Sequence, residues 1–378
     1  MTSALTESQQ VARDLAAQLF GKAVTPDRLA EVEASDQLFD GLLWTNLAHS
    51  GLIGLCLPAD VGGEGLGFAE LALICEQQGA HVAPVPLVPT MVSALAVDRW
   101  GAAELRQKIL RGVVEGTVIL AAALSGIASA QGIAVRAAEA DGGWRLEGSV
   151  LSVPGAPAAG WILVPAVDET GAAGLFAVDT SSEGVSVTPA RTTDRQLHGH
   201  LDLRGAAAEH LGGVDALSWL EQRMAAALCA VQAGVARTAT EMAAAYISQR
   251  QQFGKPLAYF QGTLLRVADA LIAAETVQVT AYAAAVALAE RAEAVTEVAV
   301  AKWWTSEGGT RSVEAALHLH GGAGNVLDHP LPRYYLWAKQ IDVALGGAAY
   351  QLQVLGERLA DGRATQRSEA ATEEITHG

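Results

Sequence analysis

Near Thr117 the hydrophobic repeat of this chain changes from about 3.6 residues to about 2, and from Val214 onward it returns to the helical period. A chain with that pattern folds neither as one helical bundle nor as one sheet. Before the change, Ala12, Leu15 and Leu19 recur at helical-turn spacing, as do Leu42, Leu43 and Leu47, so residues 1–115 are expected to form an N-terminal α-helical domain. β-rich runs at 118–120, 144–146, 161–164, 175–178 and 185–187, separated by Gly, Asp, Ser and Pro clusters, mark 116–212 as a β domain. Alanine-rich helical segments at about 214–249, 258–293, 295–320 and 333–360 then predict a four-helix bundle over 213–362. The polar remainder, 363–378, carries Glu369, Glu373 and Glu374 and reads as a disordered tail.

The 378 residues leave room for two or three domains with a sizeable core. A net charge of −16 with no basic run excludes a polyanion, so no nucleic-acid partner is expected. Only 17% of residues are charged and 51% are apolar, which points to surface committed to subunit contacts. Cys56, Cys75 and Cys229 are too few and too scattered for a disulfide framework or a zinc set, and they fit a reducing cytoplasm. Glu7, Arg13 and Asp14 interrupt what a signal peptide would need. The uncharged stretch 116–135 is broken by polar residues and glycines, so no membrane span is expected there.

Three local patterns bear on chemistry. The stretch 54–67 holds five glycines but lacks the Lys-Ser/Thr ending of a nucleotide loop, which favours a structural loop over a phosphate cradle. The first long bundle segment closes with Tyr246-Ile247-Ser248-Gln249-Arg250-Gln251-Gln252-Phe253-Gly254-Lys255-Pro256, followed by Phe260-Gln261. Arg250 there is either a charge beside exposed helix carbonyls or a planar fork for a diphosphate. The third segment ends in His318-Leu319-His320-Gly321-Gly322-Ala323-Gly324-Asn325. Its glycines serve either as a C-cap or as exposed N–H groups open to an anion. His318 and His320, two apart on a helix, do not face one ion, so no metal site is expected.

The two clusters, about 70 residues apart with an alanine-rich helix pair between them, resemble the acyl-CoA dehydrogenase family. The resemblance covers nearly the whole chain, including a Leu-Pro-x-x-x-Gly-Gly loop at 57–63. It implies a mainly α fold with an N-terminal helical domain, a middle β-barrel domain and a C-terminal four-helix bundle. It also implies FAD held across a dimer interface. Arg250 would meet the diphosphate, Gln252, Phe253 and Gln261 would line the adenosine side, and Gly321 and Gly322 would offer backbone contacts. His318 stands where the family has glutamine.

The same resemblance exposes two departures. The family's reaction needs a Glu against the substrate α-carbon. Its two usual positions fall here on Leu345, or Gly346 with a one-residue slip, and on Met224, with Glu221 the nearest acid. Ala121-Ala122-Ala123-Leu124-Ser125-Gly126-Ile127 replaces the segments that hold the flavin ring. No catalytic residue is therefore assigned to this chain, while the parts it would lend a neighbour remain. This combination resembles the non-catalytic-type subunit of actinobacterial heterotetrameric (α2β2) acyl-CoA dehydrogenases of steroid side-chain degradation. Asp328, His329 and Arg333 belong to that likeness, and they also read as a polar helix start. The likeness implies a homologous partner carrying the Glu, an acyl-CoA substrate and an electron-transfer flavoprotein as electron acceptor. Two alternatives stay open, a self-sufficient homotetramer using Glu221 or Asp342, and a flavin-free binding or scaffold protein.

Overall fold

The computed structural model describes residues 5–362 apart from 38, 130, 141, 327 and 361, so the tail expected over 363–378 lies outside the described residues. The chain opens with six helices: α1 (Glu7–Ala23), α2 (Pro26–Ala34), α3 (Gly41–His49), α4 (Phe68–His81), α5 (Leu87–Trp100) and α6 (Ala103–Val114). Thr6 and Gln9 form a capping box at the start of α1, and Asp40 caps α3 through the Leu42 and Leu43 amides. Ala12, Ala16 and Phe20, one face of α1, are buried.

Seven strands follow: β1 (Leu120–Ala122), β2 (Arg136–Ala140), β3 (Gly143–Pro154), β4 (Trp161–Val167), β5 (Ala173–Asp179), β6 (Val185–Arg191) and β7 (Leu197–Gly212). They run in the order β1-β4-β2-β3-β7-β5, with β6 on β7 and β5 pairing back to β4. That last pairing closes the path from β4 through β2, β3, β7 and β5 into a barrel. β2 carries no clear alternation. In β7, Leu197, Gly199, Leu201 and Leu203 alternate with His198, His200, Asp202 and Arg204, a period-2 run outside the β-rich runs expected above. β7 is further ordered by its partners β3, β5 and β6, which satisfy its backbone. The β3–β7 ladder slips between Val150 and Val153, a bulge that turns Ser152 to φ +55°.

The third layer comprises α7 (Val214–Gln249), α8 (Gln261–Glu290), α9 (Val295–Trp304), α10 (Thr310–His320), α11 (Leu331–Val343) and α12 (Ala348–Ala360). Two expected helices are interrupted. A π turn at Thr305–Gly309 joins α9 to α10, and the last segment breaks between Val343 and Ala348, where Leu345 and Gly346 both take positive φ. Fold class is thus mainly α with a central β layer, and the core is continuous through all three.

α7 packs against α4 at backbone contact. A Cβ on Gly79 would sit 1.9 Å from the Val231 carbonyl oxygen, and one on Gly234 would sit 2.0 Å from that of Glu76. Only glycine permits this crossing. Elsewhere Glu33 of α2 accepts from Arg195 Nη1 at 2.8 Å and from Arg333 Nε at 2.6 Å, tying the N-terminal helices to the β6–β7 turn and to α11. Gly234→Ala should push the two helices apart and lower stability by about 1–3 kcal/mol or more, the usual range for overpacking, read as a lower urea midpoint.

Candidate functional site

A cavity of about 290 Å³ opens where the three layers meet. Met224, Leu228 and Val231 reach it from one face of α7, Gln78 from α4, Trp337, Gln340 and Ile341 from the end of α11, and Ser152 and His198 from the sheet. Leu345 completes the wall from the break after α11. Met224 and Leu345, the two positions that the family resemblance marked for a base, therefore meet in one cavity. Neither side chain can take a proton.

The acids weighed as substitutes lie elsewhere. Glu221, one turn before Met224, is absent from the cavity wall, and burial pushes its carboxyl up to about 7. Asp342 is likewise off the wall, and its carbonyl accepts from Lys302 Nζ at 2.9 Å and Ser306 Oγ at 3.1 Å. Lys302 is fully buried, and desolvation lowers its ammonium below the usual lysine range.

Among the described residues the ionisable groups on the cavity wall are Asp194 and His198. Burial by itself would raise the Asp194 carboxyl, but hydrogen bonds from His198, Thr192 and the Gln196 amide outweigh it and hold the carboxyl below its ordinary value. His198 Nε2 lies 3.3 Å from Asp194 Oδ2, and His198 Nδ1 lies 3.1 Å from Ser152 Oγ. The Ser152 amide donates to His200 Nδ1 at 3.1 Å, and Ser125 Oγ donates to the Ser152 carbonyl at 2.9 Å. Sequence reasoning missed this cluster. Its signal was the His198-x-His200 spacing, which puts both rings on one face of a strand, but β7 was not recognised as a strand.

The surface residues singled out from the sequence gather at the far end of the bundle. Arg250 follows α7 directly, is exposed, and its guanidinium has no partner among the described residues, not even a helix carbonyl. Gln252 and Phe253 sit on a two-strand hairpin at 251–256, with Phe253 91% exposed and edge-on to Phe260 at 6.1 Å. Gln261 starts α8 and is exposed. His318, Gly321 and Gly322 close α10, also exposed, with nothing within 4 Å of where either glycine's Cβ would be. Tyr246, one turn before Arg250, stacks on His320 at 4.4 Å, which joins the two clusters. An unpaired fork, an exposed aromatic face and open glycine backbone suit a diphosphate and a flat ring. The glycine stretch at 54–67 forms a structural turn with Leu57 and Val61 buried.

Two family models match the chain, the acyl-CoA dehydrogenase N-terminal domain over residues 6–117 and the acyl-CoA dehydrogenase C-terminal domain over residues 212–360. The acyl-CoA dehydrogenase FadE27 of Mycobacterium tuberculosis is 36% identical over 368 residues, covering 94% of this chain and 98% of that protein. A variant of the Tcur3481–Tcur3483 steroid ACAD superposes with a TM-score of 0.90 at 41% identity over 95% of this chain and 99% of the other. The ChsE4–ChsE5 complex from Mycobacterium tuberculosis superposes equally well, TM-score 0.90, at 35% identity over 95% and 99%.

The Glu221 carboxyl gives the fold a pH signature. Its pKa is about 7 when folded against an ordinary 4.5, so the folded chain holds the extra proton between those values and stability falls as pH rises through that window. Glu221→Gln should flatten that fall in thermal midpoints, and an unchanged pH slope would place the carboxyl in water.

Proposed function

This chain belongs to the acyl-CoA dehydrogenase family, and from that premise we propose that it is the subunit of a heteromeric, FAD-dependent enzyme that completes a partner's cofactor site and leaves proton abstraction to that partner. The observation that carries this reading is the convergence of Met224 and Leu345 in one cavity whose carboxylate, Asp194, is committed to His198. α,β-Dehydrogenation of a CoA thioester removes the α-proton with a carboxylate at Cα. Bound FAD supplies the acceptor for the hydride leaving Cβ. The described residues of this cavity offer no free acid for the first step. In the loop that would face the flavin ring, residues 121–124 are buried and Ser125 spends its hydroxyl on Ser152.

The parts it would lend are intact and point outward. Arg250 lies 26 residues beyond Met224 on one helix, about 39 Å at 1.5 Å per residue. A dinucleotide whose diphosphate rests on Arg250 cannot place its ring in the cavity of the same chain. In this reading Gln252, Phe253, Gln261 and His318 flank the adenosine, and the Gly321 and Gly322 amides face the diphosphate. Leu264, Leu265, Leu271, Ile272 and Val279 leave an exposed apolar face on α8, which suits a helix-packing partner. That helix is long and apolar enough to cross a membrane by composition alone, and subunit contact accounts for the same residues. The relatives described as a steroid ACAD and as a two-protein complex support a homologous partner, an α2β2 assembly and a steroid side-chain acyl-CoA. An electron-transfer flavoprotein then reoxidises the flavin, in the cytoplasm.

Purified alone, the chain should leave acyl-CoA esters unoxidised, since loss of a general base costs about 10²–10⁴ in rate. Co-expressed with a Glu-bearing homologue it should turn over, with two FAD per α2β2 tetramer on flavin release. Four FAD, or brisk turnover by the lone chain, would overturn the reading. A second reading, a self-sufficient homotetramer, rests on Glu221, whose pKa near 7 suits a general base. It predicts activity of the lone chain that Glu221→Gln abolishes.

Arg250→Ala should yield an assembled complex depleted of flavin, because truncating a charged contact to a buried diphosphate costs about 2–5 kcal/mol of binding. Full flavin content after dialysis would return Arg250 to a solvated helix end.

A further inference from the structure

We propose that Ser152, His198 and Asp194 act as nucleophile, base and positioning residue in hydrolysing esters or thioesters of apolar acyl groups inside the central cavity. All three line it, beside Val85, Val88 and Leu228. Asp194 lies at His198 Nε2, 3.3 Å away, which favours the tautomer with its proton there. Nδ1 is then an acceptor, 3.1 Å from Ser152 Oγ. Nδ1 is also 3.2 Å from the Ser152 carbonyl, to which it could only donate, and the Asp194 carboxylate draws the proton to the other nitrogen. Ser152 is held at φ +55° by its bulge and by the His200 contact, a strained conformation for a residue with a Cβ.

Ser125 and Gly126 line the same cavity, and their amides, which donate to no protein acceptor among the described residues, would serve as the oxyanion donors; the Ser125 Oγ bond to the Ser152 carbonyl keeps that turn beside the nucleophile. Ser152 Oγ bonds to the acyl carbon as its proton passes to His198 Nδ1. The C–O or C–S bond then breaks, and the leaving alcohol or thiol takes that proton. Water attacks the acyl-serine, gives a proton to His198, and the acid leaves as Oγ recovers it. The step needs neither flavin nor partner, so it stands apart from the dehydrogenase reading.

The test treats the full-length chain, alone and assembled with its partner, with a fluorophosphonate probe, which loses fluoride when a serine Oγ attacks phosphorus, and maps the label by peptide mass spectrometry. Labelling at Ser152 is expected, together with thiol release from butyryl-CoA that disappears as the label accumulates. His198→Gln should slow labelling at least 10²-fold. Ser152→Gly should abolish it with a melting temperature at or above the parent's, since glycine takes φ +55° without strain. An unlabelled Ser152 in the folded chain, or labelling of His198→Gln at the parent rate, overturns the proposal and leaves a polar plug in a β-bulge. Flavin content and dehydrogenase turnover, read separately, stay the same under either result.

Discussion

Two absent side chains set the geometry of the whole molecule. Because Gly79 and Gly234 lack Cβ atoms, α4 and α7 cross with their backbones in contact. That crossing lies beside the central cavity, whose wall includes Gln78 and Val231. It also fixes the rotation of α7, so that Met224 and Leu228 face the sheet and the break after α11. The same helix runs 36 residues, about 54 Å, and carries Arg250 at its far end. One helix therefore holds the cavity and the exposed Arg250 far apart.

The charged clasp of Glu33 with Arg195 and Arg333 has a complementary role. Arg333 and Glu33 have side chains 9% and 17% exposed, so the pair sits largely out of water, where desolvation offsets much of its attraction. Its effect lies more in orientation than in net energy. It draws the β6–β7 turn that carries Asp194 against the helical layers, and so holds one wall of the cavity.

The two sites have opposite electrostatic character. The outer one exposes a cation, Arg250, with no partner among the described residues, together with the Phe253 ring. The inner one is mostly apolar, with a buried His–Asp pair, the serine beside it and a few glutamine side chains as its polar groups. This contrast is what the proposed division of the family's chemistry between subunits rests on.

Much of this was legible from residue order. Periodicity separated helix from strand because side-chain direction repeats within a few residues, and the Arg250 and Gly321-Gly322 motifs declared themselves because each is a contiguous run at a helix end. Leu345 and Met224, at the two positions the family resemblance marks for a base, were equally visible. What only the tertiary structure decided depends on register and on contacts between distant segments. The meeting of Met224 with Leu345 follows from a glycine crossing and a helix break, and the Tyr246–His320 stack brings the two surface motifs together. β2 exists through its neighbours' hydrogen bonds, not through its own pattern. The Ser152–His198–Asp194 cluster needs a one-strand bulge to aim the serine, and no local spacing encodes a slip between two strands.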